Sequence, residues 1–174
     1  MSKLPARIPP CAQHVLARPE WFADPDVIGR ARLGEATGLA RLLSSPFFAR
    51  REIGAITLGH TIHFRLLDNY DPHVPWGLAL LAHELKHVEQ FERDGWLQFY
   101  AKYVWAYVFH GYGESVPFEA EAYEFQRQVQ AHLTAEFESN PDCQICREMG
   151  EPHTPEAAFV MQPAAAFQYL GPGE

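Results

Sequence analysis

Trp76-Gly77-Leu78-Ala79-Leu80-Leu81-Ala82-His83-Glu84-Leu85-Lys86-His87-Val88 is the stretch on which the reading of this chain turns. Its pattern is helical. Leu78, Leu81, Leu85 and Val88 recur at i, i+3, i+7 and i+10, so an apolar stripe runs along one side. Pro75, just ahead, suits a first helical turn. Residues four apart share a helix face, so His83 and His87 can offer two imidazoles to one metal ion. Glu84 stands one position round from His83, within reach of a water on that ion rather than of the ion itself. An H-E-x-x-H spacing on a helix is the arrangement of a zinc hydrolase, in which the glutamate takes a proton from the activated water. The competing reading is a solvent-facing histidine pair beside an incidental glutamate. Lys86 is charged where such motifs usually carry an uncharged residue, and it is expected to point outward.

A catalytic zinc needs three protein ligands and one open position. A third histidine in the metzincin spacing would require glycine at position 90 and histidine at position 93, but the chain has Gln90 and Arg93. The remaining source is a glutamate on a later helix. Pro117-Phe118-Glu119-Ala120-Glu121-Ala122-Tyr123-Glu124 supplies one: proline suits the first turn, and acidic residues suit a helix N-terminus. Phe118, Ala122, Phe125, Val129 and Leu133 form the expected buried stripe. Glu119 flanks that stripe on one side and Glu121 on the other, so periodicity leaves both open.

Three segments together carry a family resemblance. They are Ala55-Ile56-Thr57-Leu58-Gly59-His60-Thr61-Ile62-His63-Phe64, then Tyr70-Asp71-Pro72, then Leu80 to Gln90. The middle of the chain, from about Arg50 to about Gln128, resembles the zincin-like metallopeptidase domain of bacteria, found alone or in toxin-like and contractile-injection-associated proteins. That family ends in an E-x-E-A segment, matched by Glu119-Ala120-Glu121-Ala122. In related gluzincins the first glutamate of the segment binds zinc, so the resemblance implies Glu119 as third ligand. The family usually has aspartate four residues on, where this chain has Tyr123.

Charge and composition narrow the classes. The 174 residues suit one domain with a real core, and 47% hydrophobic and 21% charged residues are ordinary for a soluble globular protein. A net charge of -8 with scattered Lys and Arg argues against nucleic-acid binding. Met1 to Arg18 has no apolar signal region and no apolar run reaches membrane-spanning length, so a cytoplasmic location without membrane association is the expectation. Three cysteines in such a setting predict reduced thiols rather than a disulfide framework.

Along the chain, residues 1–22 read as an irregular Pro-rich arm, 23–138 as the zincin-like core, and 139–174 as a Pro-rich extension packed on or pinned to that core. Asp24-Pro25-Asp26 starts a helix, and Val27 to Leu43 carries a helical apolar pattern. Ile53 to Leu58 and Thr61 to Leu66 form two strands around Gly59-His60, the second being the expected edge for an extended substrate. Trp76 to Arg93 is the motif helix, Trp96 to Phe109 a buried aromatic helix, and Ser115 to about Glu138 the third-ligand helix. The fold class expected is α+β: a mainly helical zincin-like fold with a small hairpin or sheet.

Outside the motif, Cys143-Gln144-Ile145-Cys146 and Cys11-Ala12-Gln13-His14 could form a second, structural zinc site through Cys11, His14, Cys143 and Cys146, with His153 an alternative ligand. His60 and His63 are candidate extra ligands or, more simply, hydrogen-bonded surface histidines. His110, Tyr112 and Tyr123 are candidates for stabilising an oxyanion. The sequence therefore predicts a zinc-dependent peptidase with zinc on His83, His87 and Glu119, Glu84 as general base, and a peptide or protein as substrate. The alternatives are an inactive zincin-like interaction or delivery module, and a latent enzyme whose N-terminal arm covers the cleft with Cys11 as a blocking thiolate. Oligomeric state is not legible.

Overall fold

A computed structural model of the chain describes residues 6–43, 54–65, 71, 73–99, 101–102 and 116–139. The architecture is α+β: helices packed on a small mixed sheet. In chain order the elements are β1 (Ala6–Arg7), α1 (Pro10–Leu16), α2 (Val27–Arg30), β2 (Arg32–Glu35), α3 (Gly38–Leu43), β3 (Ala55–Leu58), β4 (Thr61–Phe64), α4 (Pro75–Asp94) and α5 (Pro117–Ser139).

Helix α4 is the spine. Pro75 occupies its first turn behind an extended Val74. Gly95 ends it at φ 76°, a left-handed value that favours glycine, with its N–H donated to the Phe91 carbonyl. The stripe of Leu78, Leu81, Leu85 and Val88 is fully buried. It forms one core with Leu133 and Val129 of α5, Ile62 and Phe64 of β4, and Leu16 of α1. Gly77 has a packing reason: a Cβ there would run into the Asp71 carbonyl.

The sheet order is β1-β2-β4-β3. β2 and β4 run parallel, while β1–β2 and β3–β4 are antiparallel. The expected hairpin, β3–β4, thus forms one side of a four-stranded sheet. The substrate-edge expectation is corrected: β4 lies between β2 and β3, and among the described residues β3 is the outer strand, beside α4. Arg65 N–H donates to Gly54 O at 3.0 Å. In the same register Ile56 pairs with His63 and Leu58 with Thr61, so the peptide groups of Ala55 and Thr57 point away from β4.

Two further expectations are corrected. The Val27–Leu43 helical pattern divides into α2, β2 and α3. Gly29 and Gly34 weaken a continuous helix, and pairing of Arg32–Glu35 along β4 outweighs the remaining propensity. The described part of the 1–22 segment is not an irregular arm, because it forms β1 and α1. Ile8, Cys11, Ala12, Val15, Leu16 and Phe22 sit in the same core as α4.

Of the aromatic helix expected over Trp96–Phe109, residues 96–99 and 101–102 are described and helical. The remainder of that helix, the His110 and Tyr112 candidates and the 140–174 extension lie outside the described residues.

Candidate metal centre

His83 and His87 are 3% and 5% exposed, which removes the solvent-facing reading of the pair. Glu119, on the first turn of α5, is fully buried opposite them. Glu121 is half-buried and turned toward Lys86, Gln90 and Arg93, so burial makes the choice between the two glutamates that periodicity left open.

The three side chains converge. His83 Nε2 and His87 Nε2 are 3.2 Å apart. Glu119 Oε2 lies 3.5 Å from His83 Nε2, and Oε1 lies 3.5 Å from His87 Nε2. Ligand atoms about 2.0–2.1 Å from a tetrahedral zinc stand roughly 3.3 Å from one another. The cluster therefore has the spacing that a small divalent ion requires, and its nitrogen-and-carboxylate donor set suits one. His83, His87 and Glu119 together can hold a metal ion.

The electrostatics agree. Burial pushes the His87 imidazolium down, but the Glu119 carboxylate and, to a smaller degree, Glu84 and Gln90 override it, and the net pKa is raised to about 9. Burial would raise the Glu119 carboxyl, yet the adjacent His87 and His83 hold it well below the usual carboxylate range. Two imidazoles and a carboxylate so arranged form a pocket whose negative member calls for a cation, either a proton or a metal.

Each ligand has its own surroundings. His87 Nδ1 lies 2.8 Å from Gln90 Oε1. The Gln90 amide N–H group donates to Phe118 O and to Glu121 Oε2, both at 3.0 Å. His83 Nδ1 is buried with no hydrogen-bond partner among the described residues. Tyr123, one turn beyond Glu119, stacks edge-on against the His83 ring at a centroid distance of 4.6 Å.

Glu84 is 4% exposed, and Thr57 Oγ1 of β3 donates to its Oε2 at 2.7 Å. Glu84 is thus tied to the outer strand while staying close enough to His87 to act on its charge. Lys86 does not point freely outward. It is largely buried, pairs with Glu89 at 2.6 Å and Glu121 at 3.4 Å, and lies over the Phe125 ring. Glu89 in turn accepts the Ala23 N–H at 2.6 Å, so this lysine ties α4 to α5 and to the N-terminal segment.

The remaining candidates fall elsewhere. His60 Nε2 meets Glu92 at 2.8 Å on the surface, and His63 Nδ1 lies 3.4 Å from Glu35 O, so both are surface histidines outside the cluster. Cys11 is buried in α1 and disulfide-bonded, which corrects the expectation of reduced thiols. A sulfur in a disulfide has no thiolate to offer a metal, so Cys11 serves neither as structural zinc ligand nor as blocking group in this structure. Cys143, Cys146 and His153 lie outside the described residues.

Sequence reasoning missed Thr57 and Gln90. In the sequence alone Gln90 registers only as the absence of a glycine, and Thr57 as an ordinary strand residue. The signal for both was a polar side chain on a face that must be buried.

Fold and cluster define an α+β protein with an internal two-histidine, one-glutamate metal-ligand set. Residues 49–95 match the family model of the eCIS core domain, eCIS standing for extracellular contractile injection system. The match takes in β3, β4 and the whole of α4, and stops before Glu119. No curated protein and no solved structure matches the chain significantly.

Proposed function

We propose that the protein is a zinc-dependent metallopeptidase acting on a peptide or protein. The observation that carries this reading is the meeting of His83, His87 and Glu119 at metal-ligand spacing, with Glu84 in the same buried region and held by Thr57. A zinc ion held by the three side chains would supply Lewis acidity for hydrolysis. Glu84 takes the proton of the attacking water and passes it to the leaving amine nitrogen. The Thr57 hydroxyl holds one of the Glu84 carboxylate oxygens.

An extended substrate would pair with the outer edge of β3, where the peptide groups of Ala55 and Thr57 face away from β4. Such pairing is sequence-tolerant, and it would bring the scissile bond beside the residue that anchors Glu84.

The test is hydrolysis of a mixed peptide library by the zinc-loaded protein beside Glu84→Gln. The expected result is cleavage by the wild type only, with zinc retained by both. Equal cleavage by the two proteins would end this mechanism. A second reading is favoured by the eCIS core match: a zincin-like delivery or interaction module of a contractile injection system. Zinc-loaded wild type that cleaves nothing in the library would favour it.

A further inference from the structure

Gln90 is completely buried and makes three polar contacts, to His87, Phe118 and Glu121. Two of these partners, the Phe118 carbonyl and the Glu121 carboxylate, accept hydrogen bonds and cannot donate. They oblige the Gln90 amide nitrogen to face them. Its oxygen must then face His87 Nδ1, which must carry a proton to meet it at 2.8 Å. With the proton fixed on Nδ1, a neutral His87 presents a bare Nε2 lone pair. Nε2 is the atom that converges on His83 and Glu119.

The same side chain reaches across the helix interface. Phe118 immediately precedes Glu119, so one amide fixes both the ring of one ligand and the turn that bears another. His83 lacks any equivalent, since its Nδ1 has no partner among the described residues. Outer contacts of this kind set imidazole orientation and basicity in metal sites.

We propose that Gln90 is a positioning residue of the metal centre: it selects the Nδ1–H form of His87 and sets the α4–α5 spacing at which Glu119 meets the two histidines. This rests on His83, His87 and Glu119 binding metal. Its own contribution is separable, because the centre could bind zinc without needing Gln90.

The experiment measures zinc affinity by competition with a chromophoric chelator, together with the visible absorption of the cobalt-loaded protein, for three proteins. Gln90→Leu removes acceptor and donor. The double exchange Gln90→Glu with Glu121→Gln keeps an acceptor opposite Nδ1 and restores the donor–acceptor pair to residue 121, while a carboxylate at position 90 has no proton to give the Phe118 carbonyl. Gln90→Leu should weaken zinc binding roughly 10- to 100-fold and alter the cobalt spectrum. The double exchange, which still lacks the Phe118 contact, should recover part of that loss. Wild-type affinity in Gln90→Leu would overturn the proposal, and so would a double exchange as weak as Gln90→Leu. If Gln90→Leu does not fold, nitrogen-resolved NMR of the wild-type, zinc-loaded histidines decides. A protected Nδ1 proton on His87 supports the proposal, and a proton on Nε2 overturns it. A wild type that takes up no zinc overturns the metal centre and this proposal with it. A zinc-binding wild type with an unaffected Gln90→Leu overturns the proposal alone.

Discussion

Glu84 and Thr57 give the sharpest consequences at the scale of single residues. Glu84→Gln preserves the shape of the side chain and removes the proposed base, so kcat/KM should fall roughly 100- to 10,000-fold while zinc content stays unchanged. Parallel measurement of metal content and peptide hydrolysis checks it. Thr57→Val keeps volume and removes the bond to the Glu84 carboxylate. A hydrogen bond to a charged group contributes about 1.5–3 kcal/mol, so activity should drop roughly 10- to 100-fold with zinc affinity unaffected. His83 and His87 were legible in the sequence because their spacing and their chemistry coincide. Glu119 was legible only through resemblance, since two glutamates flanked the stripe equally. Gln90 and Thr57 were not legible: their roles depend on which helix and strand face them, and that is a property of packing.

Helix α4 illustrates the element scale. Its stripe was readable because an apolar period of 3.6 has few other uses. Its glycine was not, because nothing local announces that residue 77 will meet the Asp71 carbonyl. Gly77→Ala should therefore destabilise the protein by about 1–3 kcal/mol, despite the better helix propensity of alanine. Chemical denaturation of the two proteins measures this, and a stabilised variant would contradict the close approach. The strands show the opposite failure. Arg32–Glu35 has no strong strand signature, and it becomes β2 because β4 offers it a parallel partner. The same pairing makes β4 an inner strand and leaves β3 at the outside.

At the scale of the whole molecule, the N-terminal segment and the metal centre are tied to one core. Ile8, Leu16 and Phe22 pack with the leucines of α4, so removing residues 1–22 should lower the melting temperature rather than release activity. Thermal melts of the truncated and full chains check it, and a stable, more active truncated chain would revive the latent-enzyme reading. Charge in the centre links stability to pH. In metal-free protein the His87 pKa is raised from 6.5 to about 9. Its stabilising contribution is complete below 6.5 and is lost as pH rises through about 9. Glu119 is depressed from 4.5, so its contribution holds above that value and is lost as pH falls. Zinc needs His87 neutral, so binding near pH 7 should release about one proton, and this release should vanish above about pH 10. Calorimetric titration in buffers of different ionisation enthalpy reads that number.

The proposed function depends on one metal ion held among His83, His87 and Glu119. The most direct test is a crystal of the zinc-loaded protein with anomalous data collected on both sides of the zinc edge. The expected result is one peak about 2.0–2.2 Å from His83 Nε2, His87 Nε2 and a Glu119 carboxylate oxygen. A well-ordered α4 and α5 with no peak between them, or zinc bound elsewhere while these three side chains contact only one another, would contradict it.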